Sequence, residues 1–184
     1  MTLTETQNPE QIYPENAFEL EVEKRPWRIA HTKSRREKAL AFFLYSKNIA
    51  YYLPLFKKRQ QSKKRVRFSF VPVFTGYLFF KADSTQRYDA LTSNHIANII
   101  EIKDQKHLIS ELNEIHKALS IDAPLYPFDF VKQGQEVEIK RGPMKGLRGI
   151  IQRKEKNFRL VLNVSGIFQA LAVNVDADYV EPIR

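Results

Sequence analysis

The spacing of glycine in the last third of the chain constrains its fold more than any other feature. Four of the six glycines fall between positions 134 and 149. Apolar residues alternate with polar ones before a Gly-Pro pair, and two more glycines follow at short intervals. This pattern predicts a strand, a tight turn and a second strand, with glycine where the backbone needs a positive φ or is closely approached. The residues of this glycine motif are Gly134, Val137, Ile139, Gly142, Pro143, Gly146 and Gly149.

Short strand signals continue from the glycine motif to the end of the chain, with no long helix between them. Because closure removes exposed strand edges, residues 130–184 are expected to form a small, closed, five-stranded β-barrel. Valine-rich segments favour strands over a helical alternative. Residues 120–129 contain two prolines and no periodicity, which predicts a linker. The strand signals centre near Val137, Ile150, Leu160, Phe168 and Tyr179.

The sequence pattern of residues 25–119 predicts a different kind of domain. A strand begins at Trp27, and Ser34 with Glu37 fits a capping box ahead of an apolar-periodic helix. Further strands and two more helices follow in the order β-β-β-α-β-α, the last helix carrying a clear apolar stripe. The fold class is therefore α+β, an antiparallel sheet packed with helices and linked to the small barrel. The acidic residues 1–24 are expected to be a flexible lead.

Positive charge is concentrated in one segment. The net charge is +9, yet residues 24–67 hold 15 of the 30 Lys and Arg and a single acid, Glu37. In an ordinary solvated face, acidic residues are interspersed among the basic ones. The near absence of acidic residues here therefore favours contact with nucleic acid or an acidic protein. The candidates lie on or beside the first helix and at the tip of a predicted basic hairpin. They are Lys33, Arg35, Arg36, Lys47, Lys57, Lys58, Arg59, Lys63, Lys64 and Arg65.

Several function classes find no support in the sequence. The chain has no cysteine, which excludes disulfides and thiolate metal sites and fits a reducing compartment. It also lacks a secretory signal and any apolar run near the roughly 20 residues that span a bilayer. No P-loop, Gly-x-Ser-x-Gly or Gly-x-Gly-x-x-Gly motif is present, and the four histidines lack metal spacing. We expect a cytoplasmic protein that is not an enzyme, with no catalytic residue, cofactor, metal or membrane partner.

Two N-terminal segments resemble the NusG N-terminal domain, in that family's order. Residues 27–37 look like its Trp-containing strand entering the first helix, and residues 70–79 resemble its Phe-Pro-Gly-Tyr-type signature strand. The glycine motif resembles the KOW motif of transcription-elongation factors and some ribosomal proteins. Three departures from the family pattern suggest a specialised, RfaH-like paralogue. Thr75 replaces the proline usual before the Gly-Tyr pair, and residues 94–98 lack the glycine common before the following strand. The basic insert at residues 57–67 is shorter and more polar than in some general factors of the family.

The resemblance implies a monomeric transcription elongation and antitermination factor. Its N-terminal domain would bind the clamp helices of the RNA polymerase β′ subunit, bridge towards the β subunit beside upstream or non-template DNA, and modulate pausing and termination. By motif position, the docking candidates are His31, Tyr77, Phe79 and Ile102, and the alternative is that Phe79 and Ile102 are core residues. The KOW domain would recruit Rho or a ribosomal component near Phe168, unless that ring fills the barrel.

The sequence is also compatible with an alternative function. A KOW-containing protein could bind RNA at the ribosome, because aromatic residues flank the basic tract. Tyr51, Tyr52 and Phe56 would then stack on single-stranded RNA.

Overall fold

The chain folds into two compact units, Met1–Gln105 and Lys106–Arg184. The computed structural model describes residues 8–19, 24–62, 65–132, 134–154 and 157–183. These residues form antiparallel sheets and three α-helices, which confirms the predicted mixture of helices with antiparallel sheet. No helix in the described ranges is both long and apolar enough to cross a membrane.

The first unit combines a five-stranded sheet, two helices and a separate two-stranded ribbon. The sheet order is β1-β3-β6-β2-β7, and β4 pairs with β5 to form the ribbon. All described pairings in this unit are antiparallel. The strands are β1 (Ile12–Tyr13), β2 (Trp27–Thr32), β3 (Ala50–Tyr52), β4 (Leu55–Ser62), β5 (Arg65–Pro72), β6 (Tyr77–Lys81) and β7 (Ile96–Glu101), and the helices are α1 (Glu37–Ser46) and α2 (Ser84–Thr92).

The main core of this unit lies between one face of the sheet and the two helices. Side chains alternate between the faces of a strand, so Leu78 and Phe80 of β6 share one face. Both join a fully buried cluster with Leu40 and Leu44 of α1 and Ala90 of α2. The opposite face of β6 carries Tyr77 and Phe79, and this alternation decides which aromatic rings are available at the surface.

The predicted capping box at Ser34 and Glu37 is wrong. Helix α1 starts after Arg36, which occupies the N-cap position without a side-chain cap hydrogen bond. The Glu37 carboxylate instead accepts a hydrogen bond from the backbone N–H of Gly76. A capping box does form at α2, where Asp83 and Gln86 have the same spacing and bond each other's backbone N–H groups.

The N-terminal residues differ from the predicted flexible lead. Strand β1 pairs with β3, placing Ile12 opposite Tyr52. Phe18 packs on the rings of Trp27 and Tyr52, with centroid distances of 5.5 Å and 5.1 Å. The acidic composition suggested a solvated segment, but its few apolar side chains bury against the sheet and hold residues 8–19 in place. Residues 1–7 and 20–23 of the predicted lead lie outside the described residues.

The second unit is a six-stranded antiparallel sheet with one long helix. The sheet order is β13-β9-β10-β11-β12-β8. Helix α3 buries Leu108, Leu112 and Ile115, which confirms the predicted apolar stripe. The elements are α3 (Gln105–Ser120), β8 (Tyr126–Phe128), β9 (Gln135–Ile139), β10 (Arg148–Lys154), β11 (Asn157–Val164), β12 (Gln169–Val175) and β13 (Val180–Pro182), with short 3-10 helices at Ser165–Ile167 and Ala177–Tyr179.

The glycine motif forms the strand, turn and strand that its spacing predicts. Strands β9 and β10 pair across the turn, and the Gly146 N–H donates to the Ile139 carbonyl at 2.7 Å. A Cβ atom on Gly149 would lie only 2.5 Å from the backbone oxygen of Val161 on β11, so this position needs glycine for close approach.

The predicted linker differs from the structure. Within residues 120–129, β8 pairs with β12 and adds a sixth strand to the predicted five. Proline is compatible with this position because β8 is an edge strand of the sheet formed by the described residues. An edge strand pairs on one side only and therefore needs fewer backbone N–H donors. Closure of the sheet into a barrel, and the domain boundaries, stay predictions.

Candidate functional site

His31 and Tyr77 form an aromatic pair at adjacent ends of β2 and β6. They are register partners, and their ring centroids lie 5.1 Å apart with 28° between the planes. His31 is exposed and Tyr77 is half-buried. Gly76 precedes the pair with a φ of +85°, and a Cβ there would contact the His31 imidazole at 3.7 Å. The sheet therefore presents two stacked rings to solvent beside a tight turn.

The turn beside this aromatic pair is held from two sides. The Glu37 side chain reaches it from α1, and its Oε1 accepts from the Gly76 N–H at 2.7 Å. The Gly76 carbonyl accepts from the Thr32 N–H of β2 at 2.8 Å. Glu37 is only 5% exposed, so its charge-assisted hydrogen bond forms in a poorly solvated environment. These contacts fix the turn on which the position of Tyr77 depends.

Phe79 lies on the same face as Tyr77 but is fully buried. Its ring contacts those of Tyr52 and Phe74, with centroid distances of 6.3 Å and 6.1 Å. A fully buried ring has no surface to offer a partner, so the structure favours the core alternative for Phe79 over direct docking.

Ile102 is not brought together with the aromatic pair. It follows β7, whose register places Glu101 opposite Arg28, whereas His31 is opposite Asn98. Ile102 therefore lies beside the other end of β2, about 14 Å from His31 at the usual rise of a strand. It is half-buried, and its carbonyl accepts from the Gln105 side chain at 2.8 Å.

Three of the predicted cationic residues converge on the loop between β2 and α1. Lys33, Arg35 and Arg36 are all exposed, and we call this loop the basic turn. The Lys33 ammonium donates to the side chain of Asn94, and its backbone N–H donates to the His95 carbonyl. Burial lowers the pKa of His95, and the charges of Arg36 and Lys33 lower it further. His95 is therefore neutral at neutral pH, and the three longer side chains supply the charge of the turn.

Lys47 is separated from the basic turn by the length of α1. It is exposed at the C-cap, about 15 Å from the start of this ten-residue helix. Its ammonium lies 5.9 Å from the centroid of the Phe43 ring.

The remaining cationic candidates belong to the ribbon formed by β4 and β5. The predicted hairpin tip is smaller than expected, because β4 extends to Ser62 and β5 begins at Arg65. Lys57 and Lys58 are exposed on β4. Arg59 and Arg65 lie in the paired strands, where the structure describes their backbone but not their side chains. Lys63 and Lys64 lie outside the described residues altogether.

Two of the three aromatic residues proposed to stack on RNA are core residues. Tyr51 and Tyr52 are fully buried, and burial raises the pKa of both phenols. That part of the alternative function is therefore wrong, because neither ring can reach a base. Phe56 is 41% exposed on β4.

Phe168 is the most exposed aromatic residue described in the second unit, at 70%. It ends the short helix Ser165–Ile167 in the left-handed region, with a φ of 52°. Among the aromatic rings of the described residues, only that of Phe130 packs against Phe168, edge-on at a centroid distance of 5.5 Å. The alternative that Phe168 fills the interior of the sheet is excluded by this exposure.

Sequence reasoning missed two features of these surfaces. The first is the bond from Glu37 to Gly76, which joins residues 39 positions apart and leaves no local signal. The second is Phe68 on β5, which lies under the Lys57 ammonium at 4.9 Å from the ring centroid. The strict alternation of residues 66–70 was a usable signal for Phe68, because it places Phe68 and Phe70 on one face. The described residues contain no group of three or more His, Asp or Glu side chains placed to hold a metal ion.

Comparison with known proteins identifies a family for the first unit and the start of the second. The sequence model of the family described as "Transcription termination factor nusG" matches residues 25–123, which is 99 of 184 residues. A search of curated proteins finds no match. The solved structure titled "Crystal Structure of MjSpt4:Spt5 complex conformation B" is similar over 85% of this chain and 96% of that chain, with 16% identity and a TM-score of 0.26.

Proposed function

The chain belongs to the NusG family, and from this we propose that it is a transcription elongation and antitermination factor that binds RNA polymerase. The observation that carries the proposal is the family match over residues 25–123, which includes the aromatic pair and the basic turn. Such a factor would act by binding and would modulate pausing and termination. It needs an aromatic docking surface rather than catalytic groups, so we propose no enzymatic activity.

We assign polymerase docking to the His31–Tyr77 pair, with the β′ clamp helices as its partner. Aromatic side chains that are held rigidly and partly exposed give large contact area at low entropic cost. The pair meets both conditions, because Glu37 and the turn at Gly76 hold it in place. Phe79 would support Tyr77 from within the core, and Ile102 would provide a separate contact some distance along the sheet.

The basic turn and the ribbon are proposed to contact phosphates of upstream or non-template DNA while the factor bridges towards the β subunit. Lys33, Arg35, Arg36, Lys57 and Lys58 are exposed, which phosphate contact requires. Contacts of this kind set position and respond to salt, but they do not read sequence.

The second unit is proposed to be a KOW domain that recruits Rho or a ribosomal component through Phe168. A bulky residue in the left-handed region costs backbone energy, and such residues are concentrated at functional sites. The high exposure of the ring supports the same role. The departures at Thr75 and residues 94–98 support an RfaH-like paralogue, acting as a monomer in the cytoplasm.

Binding to a purified β′ clamp-helix fragment tests the proposed function. We expect His31→Ala and Tyr77→Ala each to weaken binding about 10-fold or more, as truncation of a central aromatic residue does in other interfaces. Neither side chain is fully buried, so both variants should fold, which thermal unfolding checks. Tyr88→Ala on α2 is the matched control, because Tyr88 is 68% exposed and lies outside the proposed surface. Equal binding by all three variants would refute polymerase docking through this pair.

A further inference from the structure

Phe68 is an exposed ring on a ribbon dominated by basic residues. Within the described part of the chain, β4 and β5 pair only with each other, so no further strand continues the ribbon on either edge. Phe68 is 53% exposed, and the Lys57 ammonium lies 4.9 Å from its ring centroid. Lys57 is register partner to Phe70 and shares a face with both phenylalanines.

The fold explains Phe70 but not Phe68. Phe70 is half-buried and packs against the core cluster of the first unit, so it anchors the ribbon. Phe68 lies two residues further towards the tip on the same face, beyond that anchor. It is not part of that core cluster, and about half of its surface is left in water. The ring is therefore accessible to an external partner, and its position beside the Lys57 ammonium gives it a charged neighbour for such a contact.

Charge identifies the class of partner. Residues 55–72 contain seven Lys or Arg and no Asp or Glu. An apolar protein surface would leave these charges unpaired and partly desolvated, which is costly. A polyanion with flat apolar faces satisfies both the charges and the ring, and single-stranded nucleic acid has this chemistry. In a duplex the base faces are covered by their neighbours, so a duplex would use the charges alone.

We propose that Phe68 and Lys57 form a stacking site for single-stranded nucleic acid. An unpaired base stacks on the Phe68 ring, and an adjacent phosphate pairs with the Lys57 ammonium. This inference rests on the proposed contact between the basic segment and nucleic acid, and it adds a preference for unpaired bases. The ribbon then distinguishes a separated strand from a duplex without reading its sequence.

Fluorescence anisotropy with the full chain tests this site. The probes are a labelled oligothymidylate, an oligouridylate of the same length and a DNA duplex, and the first two distinguish DNA from RNA. We expect Phe68→Ala to weaken single-strand binding about 10-fold with duplex binding unchanged, because one base stack is lost. Phe68→Trp should restore the affinity. Lys57→Gln should reduce the salt slope by about 0.7, as expected for one phosphate contact.

The matched control is Phe56→Ala on the opposite face of the same ribbon. Phe56 is 41% exposed, and we expect this variant to bind single strands like the wild type. The stacking site is overturned if Phe68→Ala binds like Phe56→Ala, or if the wild type binds duplex and single strands equally. Clamp-helix binding is measured separately and should be unchanged in Phe68→Ala. Failure of the stacking site is therefore distinguishable from failure of polymerase docking.

Discussion

His31 and Tyr77 stack across two central strands, and neither residue reaches this position through its local sequence. They are 46 positions apart and meet because β2 and β6 pair in an antiparallel register that places them opposite each other. Gly76 lies against the imidazole, and Glu37 holds the Gly76 backbone. A docking surface of two rings therefore depends on a carboxylate in the first turn of α1.

Replacing Glu37 with alanine should destabilise the first unit. The substitution leaves the partly buried Gly76 N–H without its acceptor, and loss of a hydrogen bond of this kind costs about 1–3 kcal/mol. Urea unfolding followed by tryptophan fluorescence measures this loss, since Trp27 is the single tryptophan and is fully buried. Glu10→Ala is the control, because Glu10 is exposed and should change stability by less than about 0.5 kcal/mol. Equal stability of the two variants would contradict the anchoring role of Glu37.

His95 should make the protein less stable in mild acid. Burial lowers its folded pKa below the ordinary 6.5, and the nearby Arg36 and Lys33 act in the same direction. For a depressed folded pKa, the stabilising contribution is present above the unfolded pKa and is lost as pH falls through the folded pKa. His95→Gln should therefore lose less stability than the wild type between about pH 7 and about pH 5.

Titration of the His95 ring by NMR provides a direct check of this pH effect. Arg36→Gln should raise the pKa of His95 only part of the way towards 6.5, because burial is the larger cause. Parallel acid-stability profiles for the wild type and His95→Gln would show that His95 does not contribute.

Two glycines of the second unit should respond differently to alanine. Gly149→Ala places a methyl group 2.5 Å from the Val161 carbonyl, which belongs to the paired backbone of β11 and cannot move freely. We expect a loss of about 3 kcal/mol, typical of severe overpacking. Gly146 has a φ of +90° but no atom near the added methyl group, so only about 1 kcal/mol of backbone strain is expected. Denaturant unfolding of the two variants compares them, and a larger loss for Gly146→Ala would contradict the close-approach argument.

Two substitutions of Phe168 should separate its effect on partner binding from its effect on the stability of the second unit. Phe168→Gly removes the ring and also relieves the left-handed backbone, whereas Phe168→Ala removes the ring and keeps the strain. We expect the glycine variant to be more stable than the alanine variant by up to about 1 kcal/mol. Both should lose binding to purified Rho or to ribosomes, tested separately. Retained binding by both variants would remove Phe168 from the recruitment surface.

Much of the element order followed from local pattern. The alternation near Trp27, the apolar stripe of α3 and the glycine motif all correspond to observed elements, because each reflects a periodicity that one strand or helix imposes on its own residues. The errors arose where a distant partner decided the outcome. Glu37 bonds Gly76 instead of capping α1, and the acidic N-terminal segment is held by rings on two other strands.

Residue identity and local spacing were sufficient to assign the family, the element types and the concentration of positive charge in residues 24–67. Those properties depend on residue identity and spacing within short segments. Which aromatic residues are accessible follows only from the folded chain, because accessibility depends on strand register and on what covers each face. Folding buries Phe79, Tyr51 and Tyr52 in the core, and it leaves His31 and Phe68 at the surface.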